Sequence, residues 1–436
     1  MRDAHLTADD LEKLLQGDDL TVYNRLLLHH LALCPECRAV GGYLLELYEA
    51  GAVDLELCTI DIGFALSRRD APQLLEKLSE FPFKRQMALV RKKQEFRSWG
   101  LCELLCEASL RQAPNDADRA VELAKLAVEI AMLLKEWEPA ELYWLEELRG
   151  YAWAHLGNGY RVKGELPMAV EAFETSDGWW QKGNADAGDV LGYEVRLLDL
   201  KASLRRAQRQ LPEARKLLAQ ALELETSPTG RGRLLITKAK VLEEGGEYDE
   251  ALRTLESAEG LLGQDAEPRL RLCIAHNRIW LLAISGRHLE AKLLLPDVVR
   301  LSRQIGNDPD LVRLRWVEGQ IEYAFGNLPA AREAFGEVRE RFVKDDLVFD
   351  AALVSLELAA LHARAGEPEA AKAIAREILP LFGVRKVPRE TVASLGLFIQ
   401  AVEAETLTED LARQVIGYLR RTRSEGLEPS ENDAVH

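Results

Sequence analysis

Long apolar runs, excess basic charge and cysteine are all scarce in this sequence. No run of about 18 apolar residues occurs, so no membrane-spanning helix is expected. Lys and Arg number 56 against 72 Asp and Glu, and the resulting net charge of −16 opposes binding of nucleic acid or anionic lipid through the overall field. Six cysteines among 436 residues are too few for a disulfide-stabilised fold. Neither a membrane nor a nucleic acid is therefore an expected partner.

The N-terminal sequence also lacks the pattern of a secretory signal. Residues 1–20 are acidic and polar, where a signal peptide would be basic and then apolar. The expected location is the cytoplasm, a reducing compartment in which closely spaced cysteines suit a metal better than a disulfide. At the other end, residues 425–436 are expected to form a disordered tail.

A motif of glycine followed five residues later by alanine recurs along the chain. Its copies are Gly164 with Ala169, Gly246 with Ala251, Gly286 with Ala291, Gly326 with Ala331 and Gly366 with Ala371. The last four copies are 40 residues apart, and Ala120 and Ala214 fit the same frame with other residues in the glycine place. This frame predicts seven helical hairpins between about residues 92 and 381, each covering the apolar face of its neighbour.

One hairpin carries a nearly complete version of a known repeat pattern. Its residues are Trp153, Leu156, Gly157, Tyr160, Ala169 and Phe173. Gly157 and Ala169 are expected to be small because the two helices touch there, while Phe173 fills the space around the contact. This pattern resembles the tetratricopeptide repeat family. A period of 40 residues also suits HEAT-type repeats, but the glycine–alanine turn favours tetratricopeptide hairpins with lengthened helices.

The resemblance implies an all-α fold, a tetratricopeptide-like right-handed superhelix of about seven hairpins. In that family the first helices of the hairpins line a groove that binds a protein partner. The groove positions carry over to Asn158, Arg161, Arg196, Arg233, Lys240, His276, Trp280, Arg313, Trp316, Gln320 and Tyr323. On this frame the aromatic rings are expected to have no packing role and to anchor a peptide or helix, with Arg313 and Gln320 as hydrogen-bond donors.

The N-terminal segment has histidine and cysteine at a metal-binding spacing. His30, Cys34 and Cys37 form the pattern H-x3-C-x2-C, and His5 lies 25 residues before His30. Two thiolates and two imidazoles are what a closed tetrahedral zinc site needs, and His30 and Cys34 are one helical turn apart. His29 points about 100° away from His30 around a helix, so it is not an expected ligand.

Residues 3–49 resemble the zinc-binding anti-sigma factor domain, a zinc-finger module at the N-terminus of many bacterial regulators. The resemblance covers about a tenth of the chain. It implies that His5, His30, Cys34 and Cys37 ligate zinc and that the module binds an extracytoplasmic-function sigma factor. The sequence departs from that family because it has no transmembrane helix and no evident flexible linker after the module. Zinc would stabilise a module whose core is too small to fold alone.

Two smaller features have a structural interpretation. Residues 84–97 carry six basic residues against one acid, Glu95, and are expected to form a solvated helix face that pairs with acids elsewhere. The alternative is that this basic segment contacts an acidic protein surface or a nucleic acid. Cys102 and Cys106 lie four residues apart on one helix face and are expected to be buried.

These patterns divide the chain into five parts. Residues 1–50 form the zinc module, 51–91 a helical connector, 92–382 the repeat array, 383–424 the C-terminal capping helices and 425–436 the tail. The expected function is a protein-binding regulator or adaptor that controls a sigma factor. The alternative is an assembly scaffold that recruits an effector, such as a protease or defence component, with zinc only structural. An enzyme is not expected, because no nucleophile–base pair, phosphate loop or open metal site is visible.

Overall fold

The structure, a computed structural model, describes residues 55–134, 142–183, 192–263, 267–305, 308–345, 347–382 and 389–422. The described residues form eighteen α-helices and one short 3-10 helix, and they contain no β-strand. The chain divides into two compact units, Met1–Tyr193 and Glu194–His436. The all-α fold class expected from the repeat pattern is confirmed.

The first unit contains six of the described α-helices. They are α1 (Leu55–Ser79), α2 (Phe83–Lys92), α3 (Trp99–Gln112), α4 (Ala117–Leu133), α5 (Leu142–Lys163) and α6 (Leu166–Gly183), with the 3-10 helix Gln94–Phe96 between α2 and α3. Helices α3 and α4 pair as one hairpin, and α5 and α6 pair as a second.

Helix α1 shares a core with the first hairpin. A Cβ on Gly100 would collide with the backbone of Ser67, so α1 and α3 approach as closely as glycine allows. The ring of Phe64 meets that of Trp99 edge to face, with centroids 4.7 Å apart, and Trp99 is fully buried. Arg68 and Glu103 add a two-pronged ion pair at 2.7 and 2.8 Å. The first hairpin therefore packs against helical material that precedes residue 91.

The second unit contains the other twelve described helices. They are α7 (Glu194–Ala207), α8 (Leu211–Leu224), α9 (Pro228–Glu244), α10 (Tyr248–Leu262), α11 (Pro268–Ile284), α12 (His288–Ile305), α13 (Asp308–Ala324), α14 (Leu328–Lys344), α15 (Val348–Arg364), α16 (Pro368–Phe382), α17 (Arg389–Glu403) and α18 (Glu409–Thr422). Helices α7 to α16 pair in sequence as five hairpins. With the two of the first unit they make seven, the number that the glycine–alanine frame predicts.

The glycine of each repeat ends the first helix of its hairpin in a left-handed conformation. The φ angles are +85° at Gly164, +80° at Gly246, +81° at Gly286, +79° at Gly326 and +73° at Gly366. At the first of these turns, the amide of Glu165 donates to the carbonyl of Tyr160, the bond that closes a Schellman motif. Arg209 occupies the glycine place in the Ala214 repeat and adopts the same conformation at φ +61°. The motif therefore marks a backbone requirement of the turn.

The alanine of each repeat lies where the two helices of a hairpin touch. All seven are at most 1% exposed: Ala120, Ala169, Ala214, Ala251, Ala291, Ala331 and Ala371. Opposite Ala169, a Cβ on Gly157 would stand 2.7 Å from the ring of Phe173, and one on Gly319 would meet Phe335 at the same distance. Contacts this short explain why these positions carry glycine, as the pattern around Gly157 predicts.

The last hairpin differs from the others in its packing. Helices α17 and α18 match the two C-terminal helices expected from the sequence. In several earlier repeats the first helix packs on the first helix of the preceding repeat, as α13 does on α11. Here the second helix, α18, is the one that packs on α15. The C-terminal helix therefore lies beside the first helix of the last repeat.

The smaller sequence features can be compared directly with the described residues. In the basic segment, Arg91 forms two bonds to Glu129 at 2.8 and 3.0 Å, the solvated ion pairing that was expected. Cys102 and Cys106 are fully buried. Among the described residues, no helix is long and apolar enough to cross a membrane, and no group of three or more His, Cys, Asp or Glu is placed to hold a metal.

The predicted zinc ligands His5, His30, Cys34 and Cys37 lie outside the described residues. The predicted tail, residues 425–436, lies outside them as well. The zinc site and the five domain boundaries stay predictions.

Candidate partner-binding groove

The first helices of the repeats carry the side chains predicted to face a partner, and within each unit we call the surface that they form the groove face. In the first unit it is represented by Asn158 and Arg161 on α5. Asn158 is buried, and its side-chain oxygen accepts bonds from Arg161 at 2.8 and 3.2 Å. Arg161 is part-buried in this arrangement. These two residues therefore form a local pair, one helical turn apart.

On α7 and α9, at the start of the second unit, the groove-face residues are mostly charged. Arg196 pairs with Asp199 at 3.5 Å, and Arg233 pairs with Glu267 at 3.2 Å. Lys240 is exposed, yet desolvation by the surrounding protein lowers the pKa of its amine, and the neighbouring guanidinium groups of Arg206 and Arg313 lower it further.

On α11, His276 and Trp280 are half-buried. A ring nitrogen of His276 lies 3.3 Å from the backbone oxygen of Asp310. Burial lowers the pKa of His276 to about 4, so the imidazole is neutral at pH 7. The indole N–H of Trp280 donates to Glu243 at 2.6 Å, and burial raises the pKa of that carboxyl group. These polar groups are thus largely engaged by the protein itself.

On α13, Trp316 and Gln320 are part of the packed interior. Trp316 is 3% exposed, and its ring meets Trp280 at 5.1 Å and Phe342 at 5.6 Å between centroids. Its indole N–H donates to Glu357, which also accepts a 2.9 Å bond from Gln320. The expectation that Trp316 has no packing role is therefore wrong, because the helices of this unit close over the ring. Its contact with a partner stays a prediction.

Tyr323 and Arg313, on the same helix, remain accessible. Arg313 is exposed, and Tyr323 is half-buried under the guanidinium group of Arg364, which lies 4.9 Å from the ring centroid. Arg364 also donates to the backbone oxygen of Tyr323 at 3.2 Å and pairs with Glu409 at the same distance. An arginine stacked on a tyrosine fixes both side chains at the edge of the groove face.

A cavity of about 840 Å³ opens beside these residues. One wall is the groove face, with Gln320, Tyr323, Glu357 and Arg364. Other lining residues come from α18 and from the turn between α11 and α12 at Gly286. A volume of this size falls within the range of about 300–1,000 Å³ typical of ligand sites.

Sequence reasoning missed several residues of this cavity. Arg364 precedes the repeat glycine Gly366 by two positions, whereas Arg161 and Tyr323 precede theirs by three, so extending the frame to the last repeat gives Ala363 and misses the arginine. Glu357 was not among the groove positions, and its role depends on the rotation of α15 against α13. The contribution of α18 was not predictable from the repeats, because that helix does not follow their packing.

No protein-family model matches this sequence, and no curated protein matches it. Among solved structures, a Rap protein complexed with competence and sporulation factor is similar with a TM-score of 0.55 and 13% identity, over 75% of this chain and 88% of that one. Aspartyl phosphate phosphatase F from Bacillus subtilis gives a TM-score of 0.47 at 12% identity, over 87% and 96% of the two chains. A tetratricopeptide repeat protein from Parabacteroides merdae gives 0.38 at 16%, over 62% and 98%.

At 13% identity the likeness to the Rap protein concerns the fold alone. The chain has an all-helical, tetratricopeptide-like fold, as the turn and hairpin geometry indicates independently. The similarity gives no information about an N-terminal zinc module.

Proposed function

We propose that this protein is a regulator or adaptor that binds a segment of another protein on the groove face of its second unit. The observation that carries the proposal is the cavity between Tyr323, Arg364 and α18. Its walls combine an aromatic ring under a guanidinium group with the half-buried carboxylate of Glu357. Interfaces with protein segments use the same mixture of apolar area and directional polar groups. Among the described residues we find no arrangement typical of a catalytic centre.

Site-specific crosslinking in the native host tests the location of the partner. Tyr323 is replaced by a photoreactive phenylalanine analogue, and Phe325, two residues further along and half exposed at the turn, is replaced in a second variant. The expected result is a crosslinked protein at position 323 and little at 325. Equal labelling at both positions, or none at either, would contradict binding on the groove face.

A finer part of the proposal concerns the N-terminal module. We propose that residues 1–50 bind one zinc ion through His5, His30, Cys34 and Cys37, and that this module binds a sigma factor. The support is the ligand spacing and the resemblance to the anti-sigma domain. Under this proposal the repeat array couples a second protein to the module.

Metal analysis of the full chain tests the zinc site directly. The wild type should contain one zinc per chain, and a Cys34→Ser, Cys37→Ser variant should contain none. His30→Ala should lose the metal, whereas its neighbour His29→Ala should keep it. If the protein binds zinc but has no affinity for a purified extracytoplasmic-function sigma factor, the assembly-scaffold function is favoured. Equal zinc in every variant would reject the site.

A further inference from the structure

The cavity of the second unit has a buried hydrogen-bond acceptor in its lining that has no donor. Gln320 lines the cavity and is only 8% exposed. Its side-chain N–H donates to Glu357 at 2.9 Å, and this bond fixes the orientation of the amide, because the reverse orientation would place its oxygen against a carboxylate. The oxygen, Oε1, has no hydrogen-bond partner among the described residues. A buried acceptor without a donor costs stability, so a ligand that supplies an N–H or O–H group is favoured here.

A second polar atom without a partner belongs to the same lining. His288 lines the cavity, and its Nδ1 is buried with no hydrogen-bond partner in the part of the chain that the structure describes. Burial lowers the pKa of His288, and the guanidinium group of Arg413 lowers it further, so the imidazole is neutral at pH 7. A neutral imidazole carries its proton on either nitrogen, so Nδ1 can donate or accept. A ligand group that both donates and accepts therefore matches either tautomer.

The charged groups of the lining balance one another. Among the described residues the lining has two carboxylates, Glu357 and Glu409, and two guanidinium groups, Arg364 and Arg413. Arg364 pairs with Glu409 at 3.2 Å, and Arg413 pairs with Asp410 at 3.5 Å. The carboxylate of Glu357 already accepts two N–H donors. The lining therefore favours a neutral ligand over a cation or an anion.

We infer that the cavity receives a carboxamide side chain, of asparagine or glutamine, from the partner segment. This inference rests on the proposed function and adds the chemistry that the site selects. A carboxamide is neutral and has two N–H donors and a carbonyl acceptor. One N–H donates to Oε1 of Gln320, and the rest of the group pairs with His288 in either tautomer. Ala360 and Ile416 offer apolar area to the methylene groups of the same side chain.

Other groups of a protein segment match this lining less well. A hydroxyl group has a single donor, an indole has no acceptor, and ammonium and guanidinium groups are charged and only donate. A backbone amide both donates and accepts, but in a helical segment these groups bond within the helix. In an extended segment the backbone amides are available, but they are the same in every sequence. A preference for one sequence over another therefore requires the side chain.

The test uses the full chain and a set of short peptides that differ only in their central residue. This residue is asparagine, glutamine, glutamate, lysine or methionine, with two alanines on either side. An acetyl group and an N-methylamide close the ends, so that only the central side chain can carry a primary amide. Saturation-transfer NMR on the peptides measures weak binding without a label. The asparagine or the glutamine peptide should bind at least about fivefold more tightly than the other three.

A matched pair of buried glutamines locates the site. Gln86 is 1% exposed in the first unit and is bonded at both ends, since it donates to the backbone oxygen of Leu78 at 3.1 Å and accepts from Arg119 at 3.2 Å. Gln320→Met should bind the preferred peptide at least about fivefold more weakly and lose the preference over the methionine peptide. Gln86→Met should bind within about twofold of the wild type, although it should melt at a lower temperature because its bonds are lost. His288→Leu, a second variant of the lining, should also weaken the preference.

Several outcomes overturn the inference. Equal binding of all the peptides would show that the backbone supplies the donor, and tighter binding of the glutamate or lysine peptide would show that the site selects a charge. Equal loss of binding in the two glutamine variants, or no loss in either, would place the site elsewhere. In each of these cases crosslinking at position 323 would leave the proposed function standing. If no peptide binds, the inference fails, and if position 323 also captures nothing, the proposed function fails with it.

Discussion

Replacement of Trp316 by alanine distinguishes a buried core residue from a partner-binding anchor. The side chain is 3% exposed and contacts two aromatic rings. A tryptophan of this kind buries about 150–250 Å², which at about 25 cal/mol per Å² corresponds to roughly 4–6 kcal/mol. Measured Trp→Ala costs in protein cores are about 3–5 kcal/mol. We therefore expect the free energy of unfolding of the second unit to fall by about 4 kcal/mol.

Urea unfolding of the full chain, followed by circular dichroism, measures this change. Trp316→Phe is the matched control: it keeps most of the apolar area but removes the indole N–H, and Glu357 retains its bond from Gln320. This variant should lose about 1–2 kcal/mol. Phe325→Ala, at a half-exposed turn position, should change the stability by less than about 1 kcal/mol. A loss below about 1 kcal/mol in Trp316→Ala would refute the assignment of this ring to the core.

Three further predictions follow from the packing and charge of the described helices. Gly157→Val should destabilise the first unit by about 1–3 kcal/mol in the same assay, because its Cβ would press on the ring of Phe173, whereas Gly178→Ala, where nothing lies within 4 Å, should not. The pKa of His276 is lowered to about 4 in the folded chain, so the unfolded chain binds more protons between pH 4 and 6.5. The contribution of neutral His276 to stability is therefore present above pH 6.5 and is lost as the pH falls toward about 4. In urea titrations His276→Gln should remove this part of the pH dependence, and an unchanged dependence of stability on pH would contradict the prediction. A fragment that starts at Leu55 should be helical in the presence of a chelator. It should melt at a higher temperature than a fragment that starts at Lys92, because the shorter one lacks the helix that covers Trp99. Equal melting temperatures would support the boundary at residue 91.

The repeat architecture was predictable from the sequence because its signals are local. Glycine at the turn is needed for a positive φ angle, and this requirement depends on a few neighbouring residues only. Small residues such as Gly157 and Ala169 mark the contact between the two helices of one hairpin, which are close together in the sequence. The number of hairpins follows from counting these signals along the chain. The two C-terminal helices lie beyond the last copy of the motif.

The groove positions were predictable only in part. The groove positions of the tetratricopeptide pattern predicted that Lys240, Arg313 and Tyr323 are accessible. In the structure Lys240 and Arg313 are exposed and Tyr323 is half-buried. It could not show that Trp316 is covered, because burial depends on how the neighbouring helices rotate and close over the ring. A side chain at a groove position can satisfy the repeat pattern whether or not it faces solvent.

The sequence by itself therefore determined the helical class, the hairpin count, the turn chemistry and the acidic balance of the chain, all of which follow from residue type and spacing. Only the tertiary structure decided which polar side chains are paired with one another. Glu243 and Glu357 accept bonds from residues 37 and 41 positions away, respectively. These bonds form because the fold brings together the first helices of neighbouring repeats, which are distant in sequence.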